Sequence, residues 1–176
     1  MITEKLLDDK GINNTLDQLT QEIVSRNKNL NQLILVGIQT GGAFISERIH
    51  RNIQQNRNIS VPIGSVNIAL YRDDWTKISY QPILQGTNIT FSIDDKHVLL
   101  IDDVIFTGRT VRAAMDALFD IGRPGKIELA VLVDRGHREL PVQPDYCGKV
   151  IQTKRSQTVN VYLKEHDSED SVVLVS

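Results

Sequence analysis

The sequence predicts an α/β protein with a mostly parallel central sheet flanked by helices. Three largely apolar segments predict strands: LILVGI (33–38) is a continuous apolar run typical of burial on both faces, HVLLI (97–101) is a second buried strand, and KIELAVLVD (126–134) is a third. Each of the first two runs is followed by a segment in which apolar residues recur at helical spacing. This alternation of strands and helices indicates parallel strands joined by right-handed crossovers.

Three helices are predicted around these strands. The first begins near Ile12 and ends near Asn27, because its apolar residues fall on one helical face. The second covers AFISERIHRNIQQ (43–55), after the turn QTGG (39–42) has ended the first strand. The third follows the second strand and stops at the sequence GRP (122–124).

Shorter strands and one irregular segment complete the predicted order. Alternating apolar residues over 66–70 predict a strand, and the runs VNVYL (159–163) and VVLV (172–175) predict two more. Residues 71–96 are largely polar and contain Pro82 and Gly86. Long segments of this kind inside a domain are typically lids or additional hairpins.

Composition excludes several classes of protein. The 176 residues suit a single domain, 1–176, and the net charge of −2 does not indicate a strongly basic nucleic-acid binder. The one cysteine, Cys147, forms neither an internal disulfide nor a cysteine-based metal site. The amino-terminal residues are polar rather than signal-like, and no apolar run reaches the ~20 residues of a membrane span. We therefore expect a cytoplasmic protein without a membrane partner.

The most informative stretch is VLLIDDVIFTGRT (98–110), in which a buried strand runs into two aspartates and then a loop. The amino terminus of the following helix attracts a phosphate, Thr107 and Thr110 donate hydroxyl hydrogen bonds, and Gly108 lets the backbone approach a ligand. Asp102 and Asp103 can accept from two ribose hydroxyls or orient Mg²⁺ through water. The combination predicts a site for a phosphorylated sugar. The alternative is a simple turn with Thr107 as a helix cap.

These residues resemble the signature of the type I phosphoribosyltransferases, enzymes that transfer the 5-phosphoribosyl group of phosphoribosyl pyrophosphate (PRPP) to a nitrogenous base, usually with Mg²⁺. The segments LYRDD, DDVIFTGRTVRAAMDALFDIGRP, LAVLVDRGHRELP, DYCGK and LVGIQTGG further resemble the pyrimidine-operon regulator (PyrR) family. That resemblance covers most of the chain. It implies the type I phosphoribosyltransferase fold, with a lid or hairpin insertion and a small base-binding hood.

The resemblance also implies an activity and a set of partners. The reaction would be uracil and PRPP to UMP and pyrophosphate, in a homodimer or homotetramer that also binds a pyr mRNA leader in response to UMP or UTP. Two other interpretations stay open: a nucleotide-sensing or RNA-binding regulator with little catalysis, and a phosphoribosyltransferase for a purine base. The phosphate loop cannot decide among bases, because it contacts only the ribose phosphate.

Roles at the PRPP site are carried over residue by residue. Asp102 and Asp103 would hold the ribose hydroxyls, and Mg²⁺ would bind mainly through PRPP, with water-mediated contact to either aspartate. The loop after them would cradle the 5-phosphate: Val104, Ile105, Phe106, Thr107, Gly108, Arg109 and Thr110. Arg135 would contact PRPP or pyrophosphate and, with the two aspartates, is a predicted catalytic residue.

Further roles fall on three other segments. Thr40, Gly41 and Gly42 resemble the loop whose backbone N–H groups face pyrophosphate, and the alternative for them is an ordinary strand-to-helix turn. The predicted lid residues are Arg72 and Asp73, of which Arg72 either neutralises pyrophosphate or is a solvated loop charge. The predicted base pocket includes Val133, Asp134 and Val159.

Candidate RNA contacts lie between residues 135 and 155, a segment that contains five Lys or Arg and only two acidic residues. Basic side chains of this kind bind phosphate oxygens, but a solvated loop explains them equally well. The sequence departs from RNA-binding members of the family in its first helix, which carries few basic residues, and at Gly41, where some relatives have arginine. The candidate RNA contacts are His137, Arg138, Lys149, Lys154 and Arg155.

Overall fold

The structure is a computed structural model that describes residues 3–71 and 86–176. In chain order the described elements are β1 (Thr3–Leu7), α1 (Asp9–Arg26), a 3₁₀ turn (Leu30–Gln32), β2 (Leu33–Ile38), α2 (Gly41–Arg57), β3 (Ile63–Val66), β4 (His97–Ile105), α3 (Arg109–Ile121), β5 (Lys126–Asp134), β6 (Tyr146–Val150), β7 (Thr158–Tyr162) and β8 (Ser171–Val175).

Five of these strands form a central sheet in the order β3-β2-β4-β5-β6. Every pairing in this sheet is parallel, as the apolar runs of β2, β4 and β5 predict. The register places Val104 opposite Val133 and Ile105 opposite Asp134. The segments that leave β4 and β5 therefore emerge side by side at one edge of the sheet, where ligands bind in folds of this type.

The three strands β1, β8 and β7 form a second, antiparallel sheet, which we call the hood. β7 and β8 fall where the sequence predicts short strands. β1 pairs with β8 from the far end of the chain, with Thr3 opposite Val175. The hood therefore joins the amino-terminal and carboxy-terminal segments into one unit beside the central sheet.

Helices cover both faces of the central sheet, which explains its continuous apolar strands. Leu33 and Leu35 of β2 pack in a core with α1, α2 and the hood. Ile34 and Val36, on the opposite face of the same strand, pack in a second core with α3. Burial on both faces is the environment in which parallel strands lose polar alternation.

Several element boundaries differ from the expectation: α1 begins at Asp9 rather than near Ile12, and α2 covers Gly41–Arg57 rather than 43–55. β3 ends at Val66, because residues 68–71 form a turn in which Tyr71 N donates to Ile68 O at 2.9 Å. β4 continues to Ile105, so that Asp102 and Asp103 lie inside the strand rather than after it. Arg72 and Asp73 of the expected lid lie outside the described residues. Within the described ranges, no helix is long and apolar enough to cross a membrane.

Candidate active site

The two adjacent aspartates are held in the last part of β4. The Asp102 residue is only 6% exposed, and Asp103 is half-buried. Asp103 N donates to Asp102 Oδ1 at 3.0 Å, and Val104 N donates to Asp103 Oδ1 at 2.7 Å. Backbone hydrogen bonds thus fix both carboxylates at the edge of the sheet where the ligand-binding segments emerge.

Their surroundings alter how readily the two carboxylic acids lose a proton. Burial raises the pKa of Asp102 well above its ordinary value, and the negative charge of Asp103 raises it further. Burial also raises the pKa of Asp103, although the hydrogen bond from Val104 N opposes this shift. A ligand that donates hydroxyl hydrogen bonds or brings positive charge therefore stabilises the ionised form of the two carboxylates.

The chain passes close to the aspartates where β2 leads into α2, because the helix begins with two glycines, Gly41 and Gly42. We call residues 39–42 the glycine turn. A methyl group added at Gly41 would overlap Asp103 Oδ2, and one added at Gly42 would overlap Ile101 O. The peptide bond between Gln39 and Thr40, in this turn, is cis. The expected pyrophosphate loop and the aspartate pair are consequently neighbours across the parallel β2–β4 pair.

The segment that follows β4 is a tight loop leading into α3. Gly108 has a φ of +91°, a left-handed conformation that favours glycine, and α3 begins at Arg109. The loop is fixed from outside, since Glu139 N and Leu140 N donate to Thr107 O at 2.9 and 3.1 Å. Gly108 has no side chain to cap the helix, and Arg109 N donates to Thr107 Oγ1 at the long distance of 3.4 Å. The first turn of α3 thus presents its N–H groups as an anion site would.

A cavity of about 530 Å³ lies between the glycine turn, Asp103 and the hood. Val159, one of three residues expected in the base pocket, lines it. The other two lie elsewhere: Val133 is fully buried in the core, and Asp134 borders a separate cavity. The other lining residues are Thr40, Gly41, Phe44, Asp103, Val104, Asn160, Val161, Tyr162, Leu163, His166 and Asp167.

Sequence reasoning missed most of the hood side of this cavity. The Phe44 ring, from the first turn of α2, stacks with the His166 ring, with ring centres 6.5 Å apart and planes 23° apart. An aromatic residue in the first turn after TGG was an available signal for Phe44. No local pattern marks His166 or Asp167, which reach the cavity through the fold of the β7–β8 connection.

Arg135, expected to contact PRPP or pyrophosphate, lies against the phosphate loop instead of the cavity. Its guanidinium Cζ is 4.0 Å from the centre of the Phe106 ring, and Nη2 donates to Lys154 O at 3.2 Å. Arg135 Nε is buried and has no hydrogen-bond partner among the described residues. Burial, assisted by the nearby charge of Arg155, lowers the pKa of Arg135.

Only two of the five candidate RNA contacts are exposed side chains. Arg138, with a side chain 13% exposed, donates to Asp134 Oδ2 at 2.6 Å and to the carbonyl oxygens of Val142 and Phe106. His137 Nε2 lies 2.7 Å from Thr153 O, and Lys149 Nζ donates to Leu6 O at 3.3 Å. Lys154 and Arg155 are exposed, and Arg155 forms an ion pair with Glu139.

The described residues do not by themselves form a complete metal site. They contain no group of three or more His, Cys, Asp or Glu side chains placed to hold one ion. Asp102 and Asp103 nevertheless offer oxygen ligands of the kind that Mg²⁺ prefers, in a partly buried setting that disfavours unbalanced negative charge. This donor set fits a Mg²⁺ ion whose remaining ligands come from a phosphorylated substrate and water.

The parallel sheet, the aspartate pair and the two loops beside it define a phosphoribosyltransferase. The phosphoribosyl transferase domain family matches residues 3–166, and the chain belongs to this family. Members of the family generally use Mg²⁺ with PRPP. Among similar proteins, Bifunctional protein PyrR of Desulfosudis oleivorans is 52% identical over 170 residues, which cover 96% of this chain and 94% of that protein.

Other relatives and solved structures agree with this placement. Bifunctional protein PyrR of Clostridioides difficile is 49% identical and covers 97% of this chain and 96% of its own length. A mutant of the hypoxanthine phosphoribosyltransferase of Trypanosoma cruzi, in a ternary substrates complex, is 21% identical with a TM-score of 0.76, over 99% of this chain and 96% of that one. At this identity the structural likeness establishes the fold alone, which is that of the type I phosphoribosyltransferases.

Proposed function

We propose that this protein converts uracil and PRPP to UMP and pyrophosphate within one domain, 1–176. The observation that carries the proposal is that the glycine turn, Asp103 of the aspartate pair and the hood meet around one cavity. Nearly full-length similarity to several proteins named Bifunctional protein PyrR supports the pyrimidine assignment over a purine one. We place the enzyme in the cytoplasm, as a homodimer or homotetramer.

Each part of the site has a role in the proposed reaction. The 5-phosphate binds the first turn of α3 and the Thr107–Thr110 loop, and the two aspartates accept hydrogen bonds from the ribose hydroxyls. The backbone of the glycine turn faces the pyrophosphate. Asp102 or Asp103 would hold Mg²⁺ through water, and the ion, bound mainly through PRPP, would supply positive charge to the leaving group. Arg135 acts on PRPP through Phe106 of the loop, rather than by direct contact.

The chemistry needs positioning and charge stabilisation rather than a nucleophilic side chain. N1 of uracil forms a bond to C1 of the ribose, the bond from C1 to the pyrophosphate oxygen breaks, and the N1 proton leaves to solvent. Positive charge develops on the ribose next to Asp102 and Asp103, whose carboxylates stabilise it. The cavity wall formed by Val159 holds the base in line with C1.

The decisive assay contains purified protein, PRPP and Mg²⁺ with uracil, hypoxanthine or guanine in separate reactions, and follows the nucleotide product directly. UMP from uracil alone is the expected result. IMP or GMP as the main product would contradict the pyrimidine assignment. If no base yields a nucleotide while UMP still binds, the protein is a nucleotide-sensing regulator and the enzymatic proposal is wrong.

We also propose binding of a pyr mRNA leader, enhanced by UMP or UTP, and the exposed cations Lys154 and Arg155 are the side chains to test. Arg138 is unsuited to such a test because its guanidinium holds Asp134 and two backbone carbonyl groups. The variant Lys154→Ala with Arg155→Ala should weaken RNA binding and reduce the salt slope of the affinity by about 1–2.

A matched control removes two exposed arginines that are not among the candidate RNA contacts, Arg57→Ala with Arg112→Ala. It makes the same change in net charge, and we expect the affinity for RNA to stay within about twofold of the wild-type value. Equal losses in both double variants would indicate a nonspecific charge effect. No loss in either would place the RNA-binding surface elsewhere.

A further inference from the structure

Arg48, in the middle of α2, binds two acidic residues of the β7–β8 connection. Its Nε donates to Glu165 Oε1 at 2.8 Å and its Nη2 to Glu165 Oε2 at 2.5 Å. Nη1 and Nη2 donate to the two carboxylate oxygens of Asp170, both at 2.8 Å. The side chains of Arg48 and Asp170 are only 11% and 3% exposed. We call Arg48, Glu165 and Asp170 the Arg48 triad.

The connection that the triad holds, residues 163–170, is also ordered from within. Leu163 N donates to Asp167 Oδ2 at 2.9 Å, and Lys164 N donates to Asp170 Oδ1 at 2.8 Å. His166 N donates to Leu163 O at 2.9 Å. A displacement at Asp170 is therefore transmitted to the rest of the connection, including the part that lines the cavity.

The same two elements meet a second time at the cavity itself. Phe44 and Arg48 are four residues apart on α2 and so lie on one face of the helix. Phe44 stacks with His166, and one helical turn further along Arg48 holds Glu165 and Asp170. The helix face and the connection thus form one seam, with the cavity at one end and the triad at the other.

The ion pairs of the triad fix the position of the 163–170 connection relative to α2. A bidentate arginine–carboxylate pair fixes both distance and orientation, and Arg48 forms two such pairs. Arg51 Nη2, 3.6 Å from Glu165 Oε1, adds positive charge beside the second carboxylate. Removing one partner leaves a largely buried charge without compensation, so the connection would shift to restore hydration.

We propose that Arg48 is a positioning residue for the base, because it fixes the 163–170 connection against α2 and thereby sets the separation of two walls of the cavity. The inference rests on the proposed function in one respect, namely that this cavity holds uracil. Arg48 itself does not line the cavity. Its effect therefore passes through Glu165 and Asp170 to His166 and Asp167.

Kinetics with both substrates test the proposal. In Asp170→Asn the KM for uracil should rise about tenfold, while the KM for PRPP stays within about twofold. The 5-phosphate and ribose contacts lie on β4 and α3, and the glycine turn that faces pyrophosphate belongs to α2, which this substitution leaves unchanged. The matched control is Glu169→Gln, which removes an exposed ion pair with Lys5 from the same connection and should leave both KM values unchanged. An unchanged KM for uracil in Asp170→Asn, or equal increases in both KM values, would overturn the proposal.

Two further variants separate positioning from folding. Arg48→Lys keeps the positive charge but loses the fork, so its KM for uracil should lie between those of the wild type and Arg48→Met. Glu165→Gln, at a more exposed carboxylate, should give a smaller increase than Asp170→Asn and serves if that variant fails to fold. Identical KM values for Arg48→Lys and Arg48→Met would contradict a role for the fork in positioning.

Hydrogen exchange gives a readout that does not need turnover. Backbone amides of residues 163–170 should exchange faster in Asp170→Asn than in the wild type, and at the wild-type rate in Glu169→Gln. Unchanged exchange in Asp170→Asn would overturn the inference. If the wild type forms no UMP from uracil, the proposed function fails, and the exchange result together with the affinity for UMP still decides whether the triad controls this cavity.

Discussion

The guanidinium of Arg135 lies on the ring of Phe106, with Cζ 4.0 Å from the ring centre. The contact follows from the register of the sheet, which sets Ile105 opposite Asp134, so that the next residues of β4 and β5 leave the sheet together. Arg135 N also donates to Ile105 O at 3.2 Å. A buried cation thus stabilises the start of the loop expected to bind phosphate.

Replacing Arg135 by methionine should loosen this loop. Loss of the cation–π contact costs about 1 kcal/mol of unfolding free energy, and we expect the KM for PRPP to rise about fivefold with the KM for uracil little changed. The measurement is steady-state kinetics beside urea unfolding, with Arg123→Met as an exposed arginine control. A normal KM for PRPP in Arg135→Met would show that the residue neither holds the loop nor contacts the substrate.

The aspartate pair provides a second prediction. Asp102→Asn with Asp103→Asn should lower phosphoribosyl transfer by more than about 10³-fold, because the developing charge on the ribose loses both carboxylates. The chain offers a matched control in another adjacent pair, Asp94→Asn with Asp95→Asn, which is exposed and lies just before the start of β4. Equal activity of the Asp102 and Asp103 variant at saturating PRPP would refute the assignment.

The same variant should be more stable than the wild type at neutral pH. The pKa values of Asp102 and Asp103 are raised in the fold, so the native state binds protons more tightly than the unfolded chain does. The wild type therefore loses stability as pH rises above the ordinary aspartate value of 3.8. Urea unfolding should show that the variant exceeds the wild type in free energy of unfolding by more at pH 7 than at pH 4. A loss of stability at pH 7 would contradict the pKa directions.

A third prediction concerns Arg138, whose charge looks available for RNA in the sequence but is used inside the fold. Arg138→Met leaves the largely buried Asp134 without its partner, at a cost of about 3 kcal/mol of unfolding free energy. Arg112→Met breaks an exposed arginine–aspartate pair of the same spacing and should cost about 0.5 kcal/mol or less. Similar urea midpoints for the two variants would mean that the Arg138 contacts contribute nothing to stability.

Acid sensitivity gives a fourth prediction. Hydrogen bonds from Arg48 lower the pKa of Asp170 from 3.8 to about 2. A lowered carboxylate pKa stabilises the fold above the unfolded value, and this contribution disappears as pH falls from about 4 to about 2. The shift corresponds to about 2 kcal/mol, so Asp170→Asn should flatten the dependence of unfolding free energy on pH across that range. If the unfolding free energies of the wild type and Asp170→Asn changed with pH in parallel, the prediction would be wrong. The control Glu169→Gln should follow the wild-type dependence.

The sequence predicted the strands whose own residues are strongly apolar, and it missed strands that form mainly through pairing with a distant segment. β2 and β5 have the predicted ends, because burial on both faces makes β2 apolar throughout and β5 apolar from Leu129 to Val133. β1 was not predicted: its sequence TEKLL is partly polar, and its partner β8 lies at the other end of the chain. β6, which contains Gly148, was missed because pairing with β5 rather than strand propensity forms it.

The site residues likewise fall into two groups, those in one contiguous motif and those brought together only by the fold. Asp102, Asp103 and the loop to Thr110 are contiguous, so one motif indicated them together. Phe44 and His166 are far apart in sequence and meet only because the hood folds over α2. The sequence also shows where charged residues are but not which groups they contact. Arg138 was therefore predicted as an RNA contact, and in the structure its guanidinium binds Asp134 and backbone carbonyl groups.

The cavity takes its walls from both sheets: Thr40 and Gly41 follow β2, Asp103 belongs to β4, and Val159 belongs to the hood. A molecule bound there would act as a further noncovalent crosslink between units that already meet through side-chain packing and the hydrogen bond from Lys149 to Leu6 O. Occupancy would therefore slow the separation of the hood from the central sheet, and the concentration of ligand would set the resistance of the whole chain to heat and proteases.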